Sequence, residues 1–452
     1  MRIRPLATAV LLVSVSPLAC ATDYDVGSGY AYTSLGSLLP SLNAGDIVNI
    51  HPGTYNEIDT ISCSGTPSQP IIIRGVGTSR PVFDALGLNP SGAGSVPRGV
   101  FEIRGDNIVI QNLEFKNGDN GSNGAGIRIR EDLVNNCTLT GIKSSYNNMG
   151  IQGGVLADGH LVVQNSEIGF NGTSNYNGFS HNLYLTGGGS ATIVGNYIHD
   201  SLYGQNFKSR MHYNELLYNW IADSNEGEVG IVDDPTYTSV ANSNALMVGN
   251  TIISKVDRTG NHMKYVNFGG DGSAAEHNGT LFAYNNTMIA NDNRINSLWV
   301  SPTNATNSLI VASNNVFYDP TGTPPIVNSS SPSGTITGAN NWWLTGSATV
   351  PGLFAGTLTG TDPGFANFAA KDFIPLAGSP LENAGSNGLT YVDGDGVTHS
   401  LSVDYEYLLG QGMVLRPADG ALDIGAYEVP EPTLLPVLLV LGGIAAAGRR
   451  RR

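Results

Sequence analysis

Lys208 and Arg210 lie in the sequence Asn206-Phe207-Lys208-Ser209-Arg210, whose alternation of polar and smaller or apolar residues is typical of a β-strand. With Phe207 pointing into a core, Asn206, Lys208 and Arg210 would share the outer face. An arginine beside a lysine lowers the lysine pKa, because the two positive charges repel each other, and Lys208 becomes a plausible general base. This strand therefore carries the strongest catalytic candidates in the chain.

A second strand could complete such a site. In Asn182-Leu183-Tyr184-Leu185 the leucines would face inward, so that Asn182 and Tyr184 face outward. Tyr184 precedes Lys208 by 24 residues, about one coil of a repeating structure, and we expect the two on adjacent rungs. Tyr184 or a flanking histidine could donate a proton. The candidate catalytic residues are Lys208, Arg210, Tyr184, His181 and His199, and Asn182 and Asn206 are candidate substrate-binding residues.

Three carboxylates follow about one coil later. Glu228, Asp233 and Asp234 could hold Ca²⁺, an ion that prefers oxygen ligands, against a substrate carboxylate. The whole collection suits a uronate lyase, which must neutralise a sugar carboxylate, remove the C5 proton and support the leaving oxygen. The alternatives are a wetted or carbohydrate-binding face without catalysis, and a glycosidase with two carboxylates at a set separation.

Another polar strand precedes this region. Arg128 and Arg130 alternate with Ile127 and Ile129, so that both arginines would lie on one face. They could bind an anionic glycan as further substrate-binding residues, or form an ordinary solvated strand.

The architecture that positions these residues is indicated by a recurring asparagine that precedes apolar residues. A repeat of about 20 to 50 residues is typical of solenoids, and short β-rich units with asparagines at the turns favour a parallel β-helix. Asparagine tolerates left-handed backbone and can bond its equivalents in a stack, so we assign these residues a structural role. They are Asn112, Asn136, Asn165, Asn196, Asn219, Asn250, Asn286 and, more weakly, Asn315.

The solenoid is expected to begin with a helix. Leu35, Leu38, Leu39 and Leu42 have the spacing of an amphipathic helix, although Pro40 interrupts it. Such a helix would cover the open first strands, which otherwise invite strand addition. The segment Asp46 to Tyr55 then resembles the first rung of secreted right-handed β-helix proteins. The next predicted strands are Ile71 to Arg74, Val100 to Ile103 and Ile108 to Ile110.

Composition and charge limit the partners. The chain has 452 residues, 58 of them glycine, with 13 % charged residues and a net charge of −15. Such an acidic body excludes nucleic-acid binding through phosphate contacts. It would repel an anionic polysaccharide unless a metal ion or a local basic patch intervened. Outside the leader only Cys63 and Cys137 remain, so either one disulfide or two buried thiols are expected. We expect a monomer.

Both ends of the chain have the features of targeting signals. Residues 1–21 have a basic start, an apolar run and the small-residue site Ala19-Cys20-Ala21, typical of a signal peptide cleaved by signal peptidase. Residues 429–452 contain Val429-Pro430-Glu431-Pro432, an apolar stretch at about 434–448, and four terminal arginines. As a helix the stretch would rise about 22 Å, less than the roughly 30 Å bilayer core. The alternative to a transient membrane stop is an ordinary single-pass anchor.

The C-terminal tail closely resembles the PEP-CTERM sorting signal in all three parts and in their order. The resemblance implies export in a Gram-negative bacterium, a transient transmembrane helix, recognition by an exosortase, and delivery to the cell surface, outer membrane or exopolysaccharide matrix. Residues 345–428 include Asp423-Ile424-Gly425-Ala426-Tyr427-Glu428, a phrase similar to the closing segment of surface-anchored bacterial β-helix proteins. We expect this segment to cap a solenoid that spans 22–344.

The region around Lys208 partly resembles β-helix polysaccharide lyases of the alginate lyase and chondroitinase B type. In that family a Lys-Ser pair opens a rung and asparagines follow; here Lys208-Ser209 precedes Asn214 and Asn219, with the first asparagine two residues late. The arginine of the family's next rung has no counterpart. The sequence therefore predicts an all-β, right-handed parallel β-helix that acts on or binds extracellular polysaccharide, with a non-catalytic matrix protein as the alternative.

Overall fold

The computed structural model describes residues 21–92, 97–260, 264–271, 277–291, 296–300, 308–320, 327–328, 335–346, 350–417 and 420–429. The signal peptide up to residue 20 and the sorting signal from residue 430 lie outside this range and remain predictions. Among the described residues, no helix is long and apolar enough to cross a membrane.

Short parallel strands build the solenoid. The first are β1 (Asp23–Val26), β2 (Ile47–Ile50), β3 (Thr54–Tyr55), β4 (Asp59–Ile61), β5 (Ile71–Gly75), β6 (Val82–Asp84), β7 (Gly99–Ile103), β8 (Ile108–Gln111), β9 (Glu114–Lys116), β10 (Ala125–Ile129), β11 (Asn136–Thr140) and β12 (Lys143–Ser145). The central ones are β13 (Met149–Gly153), β14 (His160–Gln164), β15 (Glu167–Gly169), β16 (Leu183–Val194), β17 (Tyr197–His199), β18 (Phe207–Leu217), β19 (Trp220–Ala222), β20 (Val229–Val232), β21 (Ala245–Val248) and β22 (Thr251–Ile253). The last are β23 (Lys264–Gly269), β24 (Thr280–Tyr284), β25 (Thr287–Ile289), β26 (Asn296–Val300), β27 (Leu309–Ser313), β28 (Val316–Tyr318), β29 (Val327–Asn328), β30 (Thr335–Ala339), β31 (Trp342–Leu344), β32 (Phe354–Ala355) and β33 (Leu358–Gly360).

These strands stack into a right-handed parallel β-helix with three faces, which confirms the predicted fold. The first face contains β4, β7, β10, β13, the start of β16, the start of β18, β20, β23, β26 and β29. The second contains β1, β2, β5, β8, β11, β14, the ends of β16 and β18, β21, β24, β27, β30 and β32. The third is the sheet from β3 to β33.

The core lies between the faces. On each strand alternate side chains point inward, so aliphatic and aromatic residues from successive coils stack on one another. On the first face the inward stack includes Phe101, Ile127, Ile151, Leu183 and Phe207, all fully buried. Because each coil contributes such residues, the solenoid extends without needing a larger globular core.

The N-terminal end differs from the prediction in detail. Leu35, Leu38, Leu39 and Leu42 are all buried, but the helix is one 3-10 turn, Leu39–Ser41, rather than an amphipathic α-helix. Pro40 lacks the N–H that a longer helix would need. β1 pairs with β2, so the segment from Asp46 is the second strand of its face rather than the first rung.

The recurring asparagines fall into two structural classes. Asn196, Asn219, Asn250, Asn286 and Asn315 are fully buried. Each donates its side-chain amide to the next asparagine of the row, ending at Asn341, over 2.9 to 3.1 Å, which confirms the predicted ladder for these five. In each coil the residue just before the ladder position has a positive φ.

Three asparagines lie outside this row: the predicted turn with left-handed backbone is confirmed for Asn112 and Asn165, and the predicted place in the row is wrong for all three. Asn112 and Asn165 occupy the positive-φ position, with φ of 54° and 50°, and Asn136 begins β11. In their coils the ladder position is filled by other residues, such as Ser166, whose N–H donates to Asn196 Oδ1 at 3.0 Å. Asparagine suits both the left-handed turn and the ladder, so the repeat alone does not separate the two positions.

The parallel stacking continues past Leu344 to β33, so residues 354–360 belong to the solenoid rather than to the C-terminal segment. That segment then forms three antiparallel hairpins, β34 (Phe365–Asn367) with β35 (Asp372–Pro375), β36 (Thr390–Val392) with β37 (Thr398–Ser400), and β38 (Tyr405–Leu408) with β39 (Gly412–Leu415). The remaining 3-10 turns are Ser174–Tyr176 and Phe368–Ala370.

The C-terminal segment lies along the side of the solenoid rather than only at its end. Phe373, Tyr407 and Tyr427 cover Trp220 and Ile253 on the outer side of the third face. Polar contacts cross the same boundary over several coils, because Tyr427 Oη lies 2.6 Å from Thr251 Oγ1 and Lys371 Nζ lies 2.8 Å from Asp223 Oδ2. The segment thus shields apolar side chains that would otherwise be exposed.

Cys63 and Cys137 are free thiols, which decides between the two expectations. Burial raises the pKa of Cys63 to about 11 and that of Cys137 to about 12. Both therefore stay protonated at neutral pH and behave as small apolar side chains.

Candidate active site

Tyr184 and Lys208 lie directly opposite each other on the first face. Tyr184 of β16 pairs with Lys208 of β18 in the strand register, and Lys208 Nζ lies 6.0 Å from the centroid of the Tyr184 ring. The expected placement on adjacent rungs is confirmed. Leu183, Leu185 and Phe207 point inward and are fully buried, so Tyr184 and Lys208 project from the outer side of this sheet.

Lys208 and Arg210 share one carboxylate, that of Asp271. Lys208 Nζ lies 2.9 Å from Asp271 Oδ2, and Arg210 Nη2 donates to the same oxygen at 2.6 Å. Arg210 also donates through Nη1 to the backbone carbonyl of Asp233, and Asp233 Oδ1 accepts from the Asp271 N–H at 2.9 Å. The two cations are thereby held side by side on the surface of the first face.

The neutral form of the Lys208 amine is more favourable in this site than it would be in water. Only 8 % of the residue is exposed, and this burial lowers the Lys208 pKa below its ordinary value; Asp271 opposes the shift and Arg210 adds to it. Burial lowers the Arg210 pKa too, but Asp271, Tyr184 and Asp233 raise it above its ordinary value. Lys208 is therefore the better proton acceptor, and Arg210 remains a fixed positive charge.

Asn182 and Asn206 do not face outward as predicted. Both are fully buried in a second amide ladder at the turn that precedes the first face. Asn182 donates to Asn206 Oδ1 at 2.7 Å, and Asn206 donates to Glu228 Oε2 at 2.6 Å. The ladder begins with Asn147 and Asn171, whose amides donate to the next member at 3.0 and 2.9 Å.

The wrong orientation has a simple cause. β16 begins at Leu183 and β18 at Phe207, so Asn182 and Asn206 each lie one residue before the strand, where alternation does not apply. At these positions the side chain turns toward the carbonyl group that ends the following strand of the third face, as in the bond from Asn206 Nδ2 to Ala222 O at 2.7 Å. Both asparagines therefore support the turn and do not contact a ligand on the surface.

The two histidines are separated. His181 lies beside Tyr184, with ring centroids 5.4 Å apart, and its Nδ1 accepts from the Gln205 N–H at 2.9 Å. It is 2 % exposed, which suits a residue that supports Tyr184 better than one that meets a ligand.

His199 lies on the third face, away from Lys208. Its ring stacks on Tyr197 with centroids 3.8 Å apart, and its Nδ1 lies 2.8 Å from Asp200 Oδ2. Burial lowers the His199 pKa, but Asp200 and Glu167 together raise it above its ordinary value. The predicted flanking of one patch by both histidines is therefore wrong, because His199 belongs to a different face.

Arg128 and Arg130 continue the polar side of the first face. In the register of the stacked strands, Glu102, Arg128, Gln152, Tyr184 and Lys208 follow one another coil by coil. Arg128 Nη2 donates to Glu131 Oε2 at 2.5 Å, and Arg130 binds Asp132 through two hydrogen bonds of 2.9 and 2.8 Å. Both lie on a cavity of about 320 Å³ that Arg98, Glu102 and Tyr237 complete.

The three carboxylates proposed as metal ligands do not converge. Glu228 is fully buried and ends the second ladder, with Oε1 accepting from the Ser224 N–H at 3.0 Å. Asp233 binds the Asp271 backbone, and Asp234 accepts from the Thr236 N–H at 2.8 Å within a turn. In the part of the chain that the structure describes, no group of three or more His, Cys, Asp or Glu side chains could hold a metal ion. These residues do not fit a Ca²⁺ site.

Asp271 is the residue that sequence reasoning missed. It follows Asp233 by 38 residues, longer than a typical coil of this solenoid, and it lies in the turn after β23 rather than on a strand. One signal could have found it: Asp233 comes one residue after β20 and Asp271 two residues after β23, at the ends of neighbouring strands of the same face, where successive turns stack. Gln152 was also missed, although it stacks between Arg128 and Tyr184.

Comparison with known proteins gives a fold but no family. No protein-family model matches the sequence, and no curated protein matches it. Among solved structures, the pectate lyase Pel9A is 16 % identical with a TM-score of 0.56, over 91 % of this chain and 97 % of its own. An alginate lyase from Paenibacillus sp. is 16 % identical with a TM-score of 0.44, over 70 % and 97 %. The likeness to Pel9A shows a shared parallel β-helix fold and nothing finer.

Proposed function

We propose that this chain is an exported protein that binds an acidic polysaccharide along its first face and cleaves it by β-elimination. The observation that carries the proposal is the meeting of Tyr184, Lys208 and Arg210 on the outer side of two adjacent rungs, with Lys208 Nζ 6.0 Å from the Tyr184 ring. An acid, a base and a fixed cation within reach of one sugar are what this reaction requires.

The distribution of charge supports an anionic substrate on this face. The chain carries a net charge of −15, so most of its surface repels a uronan, and a local cluster of cations would have to attract it. Arg128, Arg130, Lys208 and Arg210 lie on the outer side of the first face, along a line of about three coils, and each is paired with a carboxylate that a uronate would replace. A chain of uronate residues lying parallel to the solenoid axis would meet these cations in succession.

Each residue then has a distinct role. Arg210 pairs with the carboxylate of the sugar in place of Asp271 and stabilises the negative charge that develops there. Lys208 takes the proton from C5, the C5–H electron pair forms the C4–C5 double bond, and the C4–O bond breaks. Tyr184 donates its proton to the departing oxygen. The partial burial that lowers the Lys208 pKa makes proton removal easier at a given pH.

One observation favours the second candidate, a binding surface without catalysis. Asp271 holds both Lys208 and Arg210 in ion pairs, and these pairs favour the protonated amine. A face built only to bind glycan could use such fixed pairs for hydrogen bonding to hydroxyl groups. The same residues would then determine affinity, while the polymer would stay intact.

A depolymerisation assay separates the two. The protein is incubated with alginate, polygalacturonate and glycosaminoglycans, and the ultraviolet absorbance of the unsaturated product is followed. We expect at least one substrate to be cleaved, and Lys208→Ala to abolish cleavage while the protein stays folded, with only a modest loss of stability from the broken pair with Asp271. Lys371→Ala is the matched control, because Lys371 forms a similar ion pair with Asp223 on another face, at 2.8 Å. Cleavage retained in Lys208→Ala, or binding without cleavage, would reject the lyase assignment.

Export to the cell surface is the remaining part of the proposal. It rests on the signal peptide and on the three-part C-terminal tail, with signal peptidase and an exosortase as the processing partners. A protein that acts on matrix polysaccharide would need this location to meet its substrate.

A further inference from the structure

The third face carries a second polar and aromatic surface, where the cover provided by the C-terminal segment stops. From Trp220 onward the outer side of this face is covered by Phe373 and Tyr407. One and two coils earlier, the corresponding positions are Tyr197, which packs against the edge of this cover, and Glu167; both border an open cavity. The covered part of the face is apolar, whereas the uncovered part is mixed.

Four rings form a continuous row across the uncovered part. Tyr197 stacks on His199 with centroids 3.8 Å apart, and His199 meets Phe170 edge-on at 5.1 Å. Phe170 stacks on Tyr146 at 5.8 Å with an angle of 9° between the rings. Tyr146 is 60 % exposed, so the row ends in a tyrosine ring that faces solvent.

The backbone at two of these rings is strained. Tyr146 and Phe170 have φ of 59° and 56°, a region that bulky side chains rarely adopt. They occupy the position directly after a strand of the third face, where three other coils have Asn117, Asp200 and Asp223 with positive φ, residues that tolerate this conformation better. The backbone alone would favour asparagine or aspartate at these two positions, and strain of this kind is concentrated at functional sites.

A cavity of about 700 Å³ adjoins the row. Its floor is Glu167 and Tyr197 of the third face, and its wall is Tyr407, Gln411 and Met413 of the last hairpin. Apolar ring surfaces beside carboxylate and amide groups match a sugar, which presents C–H groups on one side and hydroxyl groups at its edge. The volume is large enough for at least one sugar ring.

The charges of this surface are internally paired. Glu167 Oε1 lies 2.8 Å from Lys143 Nζ and 3.8 Å from His199 Nε2. Asp200 binds the other nitrogen of His199, and Arg80 donates to Asn112 at 3.3 Å. The surface thus offers fixed hydrogen-bonding groups, and its carboxylates Glu167 and Asp200 are offset by Lys143 and Arg80.

We propose that the third face, from Tyr146 to the cavity beside Tyr407, binds an uncharged polysaccharide. One sugar ring stacks on the exposed ring of Tyr146, and Glu167 and Gln411 at the cavity bind hydroxyl groups of the same chain. The protein would then hold a neutral glycan on one face while it acts on an acidic glycan with another. This inference does not depend on the reaction proposed for Lys208.

Affinity electrophoresis tests it with the mature full-length protein. The gels contain mixed-linkage β-glucan, galactomannan, xylan or dextran, and a parallel set contains alginate or polygalacturonate. We expect at least one neutral polysaccharide to retard the protein. The double variant Tyr146→Asn with Phe170→Asn should lose about tenfold or more in affinity. Its melting temperature should not fall, because asparagine suits the left-handed backbone that the rings now strain.

Two controls keep the result specific. Tyr30→Asn removes another exposed tyrosine, which stacks on His51 near the N-terminal end, and should leave binding unchanged, as should Lys208→Ala. If the double variant unfolds, Tyr146→Asn alone repeats the test with an expected loss of about threefold to tenfold. No retardation by any of the four neutral polysaccharides, or unchanged retardation of the variants, would overturn the inference. Uronan cleavage measured on the same variants reports separately on the first face.

Discussion

Glu228 ends the second amide ladder by accepting a hydrogen bond from Asn206 Nδ2 at 2.6 Å. Four asparagines precede it in the row, and each passes its amide to the next. The terminal carboxylate is fully buried, and burial raises its pKa to about 8, although the bonds from Asn206 and the Ser224 N–H oppose the shift. An ionisable group thus completes a structural row in the interior of the solenoid.

This placement predicts a pH-dependent stability. The pKa of Glu228 lies near 4.5 in the unfolded chain and near 8 in the fold, so its contribution is fully favourable below pH 4.5. It is lost as the pH rises from 4.5 to about 8, by roughly 3 to 5 kcal/mol. In Glu228→Gln this dependence should disappear. Urea unfolding at pH 5 and pH 8 should therefore show the variant gaining stability relative to the wild type at the higher pH.

Glu167 provides the control with the opposite sign. The nearby His199 ring, with Nε2 3.8 Å away, and the ion pair with Lys143 lower the Glu167 pKa to about 2 against the burial that opposes them. The stabilising effect of Glu167 is present above pH 4.5 and is lost as the pH falls toward 2. Glu167→Gln should therefore lose this acid-side dependence below pH 4.5, with a second, smaller change where His199 titrates, because Glu167 also raises the His199 pKa. If the free energy of unfolding of Glu228→Gln varies with pH between 5 and 8 in the same way as that of the wild type, the raised pKa of the buried Glu228 is contradicted.

A second prediction separates two asparagines that the repeat placed in one class. Asn196 donates to Asn219 Oδ1 and Val163 O, and its Oδ1 accepts from the Ser166 N–H. Asn196→Ala leaves these three buried groups without their partner and should cost about 2 to 5 kcal/mol in the free energy of unfolding. Asn165 occupies a positive-φ turn instead, so Asn165→Gly should change stability by less than about 0.5 kcal/mol.

Chemical denaturation of both variants measures the difference. Equal losses for Asn196→Ala and Asn165→Gly would show that the two positions are not distinct in the way the hydrogen bonds indicate. A loss at Asn165→Gly alone would reverse the assignment of ladder and turn.

The sequence predicts the coils better than it predicts the turns. Strand alternation places Lys208 and Arg210 correctly, and the 24-residue spacing places Tyr184 opposite Lys208, because both lie within strands of constant register. The same alternation fails for Asn206, which lies one residue before β18, where a turn determines the direction of the side chain.

Contacts between distant coils also escape sequence reasoning. Asp271 pairs with Lys208 and Arg210 from a turn that lies 61 residues after Arg210. The sequence around Asp271 does not identify it as their partner. The sequence identifies the C-terminal hairpins as a separate segment, but it does not predict which face of the solenoid they cover. That face is determined by outward apolar residues such as Trp220 and Ile253, which the sequence does not distinguish from core residues. Long-range pairing is a property of the stacked coils rather than of any one repeat.

A third prediction concerns processing. The mature protein should begin near Thr22 and lose the residues after Pro432, because the small-residue site and the three-part tail mark these points. The described fold reaches both boundaries: the Thr22 N–H donates to Asp46 Oδ1 at 2.9 Å, and the Val429 N–H donates to Asp423 Oδ2 at 2.6 Å. Intact-mass measurement of the surface form tests it. A mass that includes the four C-terminal arginines would count against exosortase processing.

The last prediction uses the charges around Lys208 to test its role as the base. If Lys208 removes the C5 proton, kcat/KM rises with pH as the amine loses its proton, and the midpoint of that rise follows the Lys208 pKa. Asp271 raises this pKa and Arg210 lowers it. Asp271→Asn should therefore move the rise to lower pH, and Arg210→Ala should move it to higher pH while also increasing KM, because a contact to the sugar carboxylate is lost. The rates are measured across a pH series on whichever uronan the wild type cleaves. If the pH midpoint moves in the same direction in both variants, or in neither, another group accepts the proton. If Asp271 has a purely structural role, Asp271→Asn lowers stability and rate at every pH without moving the midpoint.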